Sequence, residues 1–385
     1  MSGNLLVVHG GGPTAVINST LYGVIKEARL HHEIDMVYGA IGGTEGIIRE
    51  NFRDIGKISE EMLELLLKTP GSAIGSSRYD VSDEDYKAMP EIFKRHDIKY
   101  VLFNGGNGTM DTCGKVHRVC MESGVMVMGI PKTIDNDISA IDHAPGFGSA
   151  ARYIAESVAE AGQDVKSLPI HVSVIETMGR NAGWITAASA AARKNPDDAP
   201  HIILVPERPF DEDKFLAEVK RFHEKLGGVV VAVSEGLTDK EGKSIVPPIF
   251  QTGRSVYFGD VSAHLAGLVI RKLGIKARNE KPGLLGRSSM ALVSETDREE
   301  AILVGREAVK AAVAGKSGAM VGIRRLEGES YGIDTPLIPI DKVMLHEMKL
   351  PDRYISGNGM DVTDEYLEWL RPLVGDIPDY ISFKA

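Results

Sequence analysis

Along roughly the first 325 positions, short runs of apolar, β-branched residues alternate with longer stretches in which apolar residues recur every three or four positions. The runs predict strands at Leu5–Val8, Met36–Ile41, Tyr100–Phe103, Val125–Ile130, His171–Glu176, Ile202–Pro206, Val229–Val233 and Ala319–Ile323, with helices between nearly all of them. Such repetition predicts buried, largely parallel sheets. Eight strands exceed what one nucleotide-binding half needs. The expected fold is therefore α/β, with two Rossmann-like three-layer lobes, a cleft between them, and ligands at strand C-termini. After about residue 325 the alternation gives way to a Pro- and Ile-containing stretch, a polar stretch, and one short helix from Asp361 to Leu370 that stops before Pro372. The expected division is 1–145 with about 285–330 as one lobe, 146–284 as the second, and 331–385 as an extension packing back on the lobes.

Composition narrows the function. The chain has 385 residues, 44 Lys+Arg against 54 Asp+Glu and a formal net charge of −10. No cationic surface able to track a phosphodiester backbone is expected, so nucleic acid is not the predicted partner. The apolar run at Leu5–Val8 is too short for a signal peptide or a membrane span, which predicts a cytoplasmic protein with no membrane partner. Cys113 and Cys120 are the only thiols, without CxxC spacing or a neighbouring histidine, so a reduced compartment and no structural metal are expected.

Three segments at predicted strand ends carry the candidate chemistry. The first strand runs into Gly10-Gly11-Gly12, a turn where the backbone can approach an anion beside a helix N-terminus. By itself this turn also satisfies a relaxed dinucleotide fingerprint, Gly10-x-Gly12-x-x-Ala15, or a plain structural turn. A second cradle, Asn104-Gly105-Gly106-Asn107-Gly108-Thr109, follows Tyr100–Phe103, which suggests a polyphosphate held between two loops. The third segment is Pro131-Lys132-Thr133-Ile134-Asp135-Asn136-Asp137. In an extended loop its two carboxylates would point to one side, one to take a proton and one to hold a metal or orient a hydroxyl. A solvated Asx turn is the usual use of such a string, but Lys132 and the two cradles shift the reading toward catalysis. Further on, Arg180 in Glu176-Thr-Met178-Gly179-Arg180 offers a guanidinium suited to phosphoryl oxygens, where a surface salt bridge is the plain alternative.

Together these strings resemble the 6-phosphofructokinase family: PKTIDND at 131–137, ETMGRNAG at 176–183, GGNGT at 105–109 and SEG at 234–236 stand in that family's order and spacing, over about residues 3 to 325. The resemblance implies a two-lobed kinase that moves a phosphoryl group from ATP or pyrophosphate to the 1-hydroxyl of fructose 6-phosphate with Mg2+. Its lobe at 1–145 and about 285–330 would bind the donor, and 146–284 the sugar phosphate. By the same resemblance Asp135 is the general base, Asp137 assists or binds Mg2+ with Asn107, and Thr133 contacts the transferred phosphate. Gly11, Gly12, Gly105, Gly106, Asn107, Gly108, Thr109 and Lys132 would line the donor site, with Arg78 and Arg180 neutralising charge in flight. His171, Met178, Gly179, Arg180 and Glu235 would hold the sugar, while Arg278 and Arg287 would grip its 6-phosphate. Arg278 is usually supplied by a neighbouring subunit, so a homodimer or homotetramer is implied.

Departures from the family pattern matter. Asn107 stands where many members have aspartate, His171 where arginine is common, and Leu284 where histidine or tyrosine is common, which leaves a related phosphosugar open as acceptor. Gly108 fits the ATP form and Lys132 the pyrophosphate form. A missing side chain cannot close a site whereas a lysine can swing aside, so ATP is the expected donor and pyrophosphate the alternative. A nicotinamide oxidoreductase would want an acidic residue at the end of the second strand, which ends Gly39-Ala40-Ile41-Gly42. A non-catalytic sugar-phosphate sensor would have lost the base, and both Asp135 and Asp137 remain.

Overall fold

The computed structural model describes residues 2–252, 255–328, 330–344 and 346–383, and the chain divides into two compact units. Unit 1 comprises Met1–Ser149 with Arg287–Met348, and unit 2 comprises Ala150–Gly286 with Lys349–Ala385. The stretch expected as one C-terminal extension is thus divided between the units after Met348.

Unit 1 begins with β1 (Gly3–His9), β2 (Ile34–Ala40), β3 (Phe52–Asp54), β4 (Ile98–Gly105) and β5 (Met126–Pro131). In β1 alternation decides the layering: Leu5 and Val7 join one core with Leu21, Val24 and Val304, while Leu6 and Val8 join another with Phe93, Val101 and Met110. Both faces of the sheet are covered by helices, which is why its strands read as continuous apolar runs. The helices Ile17–Ala28 and Glu295–Val313 pack closely because Gly23 and Gly305 stand at their crossing. A Cβ on Gly23 would lie 2.2 Å from the Ile302 carbonyl oxygen.

Unit 2 holds β6 (Val172–Thr177), β7 (Ile202–Leu204), β8 (Val229–Ser234), the antiparallel hairpin β9 (Pro248–Thr252) and β10 (Ser255–Phe258), and β11 (Ala277–Glu280). Its four-stranded sheet runs β11-β6-β8-β7, all parallel. Val172, Val174, Val229 and Val231 pack there with Phe215 and Leu265. The chain then returns to unit 1 with β12 (Ala319–Val321), β13 (Arg324–Arg325), β14 (Ile333–Asp334) and β15 (Leu337–Pro339). The unit 1 sheet has the order β15-β12-β5-β4-β1-β2-β3, parallel except at its edges, where β3 and β15 run antiparallel.

The eight expected strands are all present, with shifted ends. β3 and β11 carry too few apolar residues to register as strands, β11 being Ala-Arg-Asn-Glu held by pairing with β6, while β9 and β10 are short apolar segments that become strands by pairing with each other. The last helix also differs, running Asp364–Val374 with Pro372 inside it. Proline there removes one hydrogen bond within the final turn, and the helix ends at Gly375, whose N–H bonds to the Arg371 carbonyl.

Candidate active site

In unit 1, β1, β4 and β5 are adjacent and parallel, so the three segments singled out above leave the same edge of the sheet. Gly11 takes a left-handed φ of 72° and Gly10 forms a bridge with Ser77, next to Arg78. A Cβ on Gly10 would lie 2.2 Å from Thr109 Oγ1, which is how the first cradle seats on the second. Gly108 is different, since a Cβ there meets nothing within 4 Å.

Lys132 ties the cradle to the third segment. Its Nζ donates a 2.6 Å hydrogen bond to the Gly12 carbonyl, and the side chain is buried. Burial lowers the ammonium from its ordinary 10.5 to about 8; Asp135 and Asp137 oppose that shift, and Arg287 and Arg78 add to it. Beneath it, His9 donates or accepts at Ser72 through Nδ1 and is held down to about 3 by burial and by Lys132. Arg287 reaches the same place: its Nη1 lies 2.5 Å from where a Cβ on Gly12 would stand. Burial and the like charge of Arg78 lower its pKa, with Asp135 opposing. Arg287 thus stands in unit 1 beside Gly12, and Arg278, the other arginine expected on the sugar phosphate, belongs to unit 2.

The carboxylate loop is not extended. Asn136 is buried with φ 51°, a left-handed residue between the two aspartates, and its Oδ1 accepts from the Ala144 N–H at 3.0 Å. The two-residue alternation expected from an extended loop therefore does not apply, yet both carboxylates lie within electrostatic reach of Lys132. The Asp135 N–H bonds to Thr133 Oγ1 at 3.1 Å. Asp137 Oδ2 accepts from Asn107 Nδ2 at 3.0 Å, and burial raises its pKa against the bonds from Thr133 and Asn107.

Among the described residues no three His, Cys, Asp or Glu side chains gather as a metal cage. The buried oxygens Asp137 Oδ1 and Asn107 Oδ1, however, have no hydrogen-bond partner. One carboxylate and one amide oxygen suit Mg2+, which commonly takes few protein ligands and completes its shell with water and substrate phosphate. These two residues would hold it, and the ion would supply charge neutralisation on the donor.

In unit 2 the parallel pair β6 and β8 brings two distant strings together at one sheet edge. Gly179, at φ 109°, accepts from Ser234 Oγ through its carbonyl at 2.7 Å, and the Glu235 N–H bonds to the Thr177 carbonyl at 3.1 Å. Gly236 admits this contact, since a Cβ there would lie 1.7 Å from the Arg180 carbonyl oxygen. Met178, Gly179, Arg180 and Glu235 are thereby neighbours. Burial raises the Glu235 carboxyl while Arg180 opposes. Arg180 donates to the Val256 carbonyl at 3.0 Å and lies over Phe258, so the unpredicted hairpin holds it. His171 is buried with neither ring nitrogen hydrogen-bonded, and burial followed by Arg278 lowers its pKa. Arg278 is exposed on β11, and Leu284 is 63 % exposed.

Sequence reading missed the support for these groups. Glu176 is buried and accepts from Ser262 N–H at 2.8 Å, with Lys281 Nζ 3.0 Å from its other oxygen. Glu207 Oε1 accepts from the Gly183 and Leu350 N–H groups, both at 2.9 Å. Glu176 and Gly183 open and close the ETMGRNAG string, but no local motif marks Ser262, Lys281 or Leu350 as partners.

Comparison with known proteins gives the family. The family described as Phosphofructokinase matches residues 4–312. The chain belongs to the phosphofructokinase family. Among its relatives, the pyrophosphate-fructose 6-phosphate 1-phosphotransferase of Rhodospirillum rubrum is 39 % identical, over 98 % of this chain and 96 % of the relative. The sulfofructose kinase of Alkalicoccus urumqiensis is 35 % identical, over 96 % and 94 %. The crystal structure of a pyrophosphate-dependent phosphofructokinase from Nitrosospira multiformis superposes with a TM-score of 0.90 at 36 % identity, over 100 % of this chain and 95 % of that one. The α/β fold is thus that of the phosphofructokinases. Among the described residues no helix is long and apolar enough to cross a membrane.

Proposed function

We propose that this chain transfers a phosphoryl group from pyrophosphate to the 1-hydroxyl of fructose 6-phosphate, with Mg2+. The observation that carries the donor is Lys132, a buried ammonium bonded to the Gly12 carbonyl among Arg78, Arg287 and the two aspartates. A compact polyanion concentrates its whole charge on such a cluster. The names of the relatives at 35–39 % identity support the same donor. The expectation of ATP rested on the space at Gly108, and open space admits a nucleotide without selecting one. We therefore set pyrophosphate ahead of ATP.

In this reading Asp135 takes the proton of the attacking hydroxyl, and Lys132, Arg78 and Arg287 disperse charge on the donor. Thr133 orients the Asp135 backbone, and Asp137 with Asn107 holds the ion. In unit 2, Met178, Gly179, Arg180 and Glu235 contact the sugar. Arg278, exposed on its own chain, completes the sugar site of a neighbouring copy in a homodimer or homotetramer. Alignment and dispersed positive charge supply most of what phosphoryl transfer needs.

A second acceptor has one observation in its favour. His171, buried and with its pKa lowered, stands where a cationic phosphate contact is common, and a 6-sulfonate carries one charge less than a 6-phosphate. The relative named sulfofructose kinase supports testing it. The experiment is an aldolase-coupled assay with Mg2+, each acceptor being supplied with pyrophosphate or ATP. Turnover of fructose 6-phosphate with pyrophosphate alone is the expected result; turnover with ATP alone overturns the donor assignment.

A further inference from the structure

Behind the carboxylate loop runs the segment 142–149, which none of the roles above uses. It touches the loop at three places: the Thr133 N–H bonds to the Pro145 carbonyl at 3.2 Å, the Ala144 N–H bonds to Asn136 Oδ1 at 3.0 Å, and Thr133 forms a bridge with Gly146. Asn136, being buried and left-handed, is the residue whose side chain fixes where Asp135 and Asp137 leave the turn.

The segment is itself anchored by one face of the helix Glu295–Val313. Asp297 and Glu300 are three residues apart and so lie on the same side of that helix. Asp297 accepts from the Gly146 N–H at 2.7 Å and from Ser149 N–H and Oγ at 2.9 and 2.5 Å. Glu300 lies 2.6 Å from His143 Nε2, and Asp142 lies 2.7 Å from His143 Nδ1. A neutral imidazole has one N–H and would turn a lone pair toward one of these carboxylates, so both contacts are hydrogen bonds only when the ring is charged. Each carboxylate has a further partner: Tyr331 Oη donates to Glu300 at 2.5 Å, and Arg325 lies 3.2 Å from Asp142. Two cations, His143 and Arg325, thus meet two anions, Asp142 and Glu300, in a cluster whose His143 and Glu300 are buried and whose Arg325 and Asp142 are half-buried. Tyr331 and Asp297 are the other titratable groups facing it.

We propose that His143, clamped between Glu300 and Asp142, is a positioning residue for the reaction: it holds Ala144 where Asn136 needs it and so sets the aim of Asp135 and Asp137. This rests on the catalytic reading of those aspartates. Small displacements at a phosphoryl-transfer centre cost rate more than affinity, about a hundredfold for a shift of about 1 Å.

The test combines His143→Gln with Asn136→Gly, since glycine suits φ 51° while deleting the acceptor for Ala144. For His143→Gln we expect kcat to fall about 10- to 100-fold with KM for both substrates changed less than about threefold. In the Asn136→Gly background the same substitution should cost less than about threefold, because the link it acts through is already gone. Full additivity of the two losses, or an unchanged kcat in His143→Gln, overturns the proposal. Hydrogen exchange at the 133–137 amides gives a readout independent of turnover, expected to be at least about tenfold faster in His143→Gln. If wild type turns over neither donor, the catalytic reading fails, and unchanged exchange separately defeats the clamp. Glu300→Gln serves as the second variant if His143→Gln does not fold.

Discussion

The Lys132 ammonium and the Gly12 carbonyl are joined by a 2.6 Å hydrogen bond that crosses from the third loop of the unit 1 sheet edge to the first. The contact holds a buried cation between the two loops, at a cost in stability that an anion, or loss of the proton, relieves.

That cost has a pH signature. The folded value of about 8 lies below the ordinary 10.5, so between them the unfolded chain holds the extra proton. This group makes stability rise with pH across that window and lowers it below the folded value. Activity should move oppositely: kcat/KM for pyrophosphate falls as pH rises past about 8. Lys132→Met should raise the melting temperature of the ligand-free protein by about 2–4 °C at pH 7, yet lower kcat/KM for pyrophosphate about a hundredfold or more. A scan of melting temperature beside initial rates from pH 6.5 to 9.5, with both proteins, checks each half.

Asp135→Asn preserves shape and removes the base. Its kcat should fall by about three orders of magnitude or more, with KM for donor and acceptor within a few-fold. Steady-state kinetics decide this, and a near-normal kcat would remove Asp135 from the base role.

Removing the ion should stop turnover, with recovery on adding Mg2+ after chelation. In Asp137→Asn the Mg2+ concentration for half-maximal rate should rise about tenfold, because one charged oxygen ligand is lost from a set of two. A titration of rate against Mg2+ at fixed pyrophosphate measures it, and an unchanged half-point would place the ion elsewhere.

Tyr366 is fully buried in unit 2 and donates to the Trp184 carbonyl at 2.6 Å, just beyond the Gly183 turn that Glu207 holds. Tyr366→Phe removes this hydrogen bond and should destabilise the protein by about 1 kcal/mol, read by denaturant unfolding. The segment after Lys349 is thus tied to the turn that follows the Met178–Arg180 string.

What the linear sequence determined is whatever is local. The apolar runs placed the central strands, because buried parallel strands must be apolar on both faces, and the glycine strings declared their turns because close backbone approach excludes a Cβ. The PKTIDND string named its aspartates without any partner being known. Tertiary structure decided the rest, because pairings between distant residues leave no local periodicity. β11 is a strand only beside β6, and Arg180 is held by a hairpin 76 residues away. Arg287 joins Gly12, and His143 meets Glu300 across 157 positions of chain. The left-handed turn at Asn136, which sets the two carboxylates, is stabilised by an Ala144 N–H that only the folded chain brings within reach.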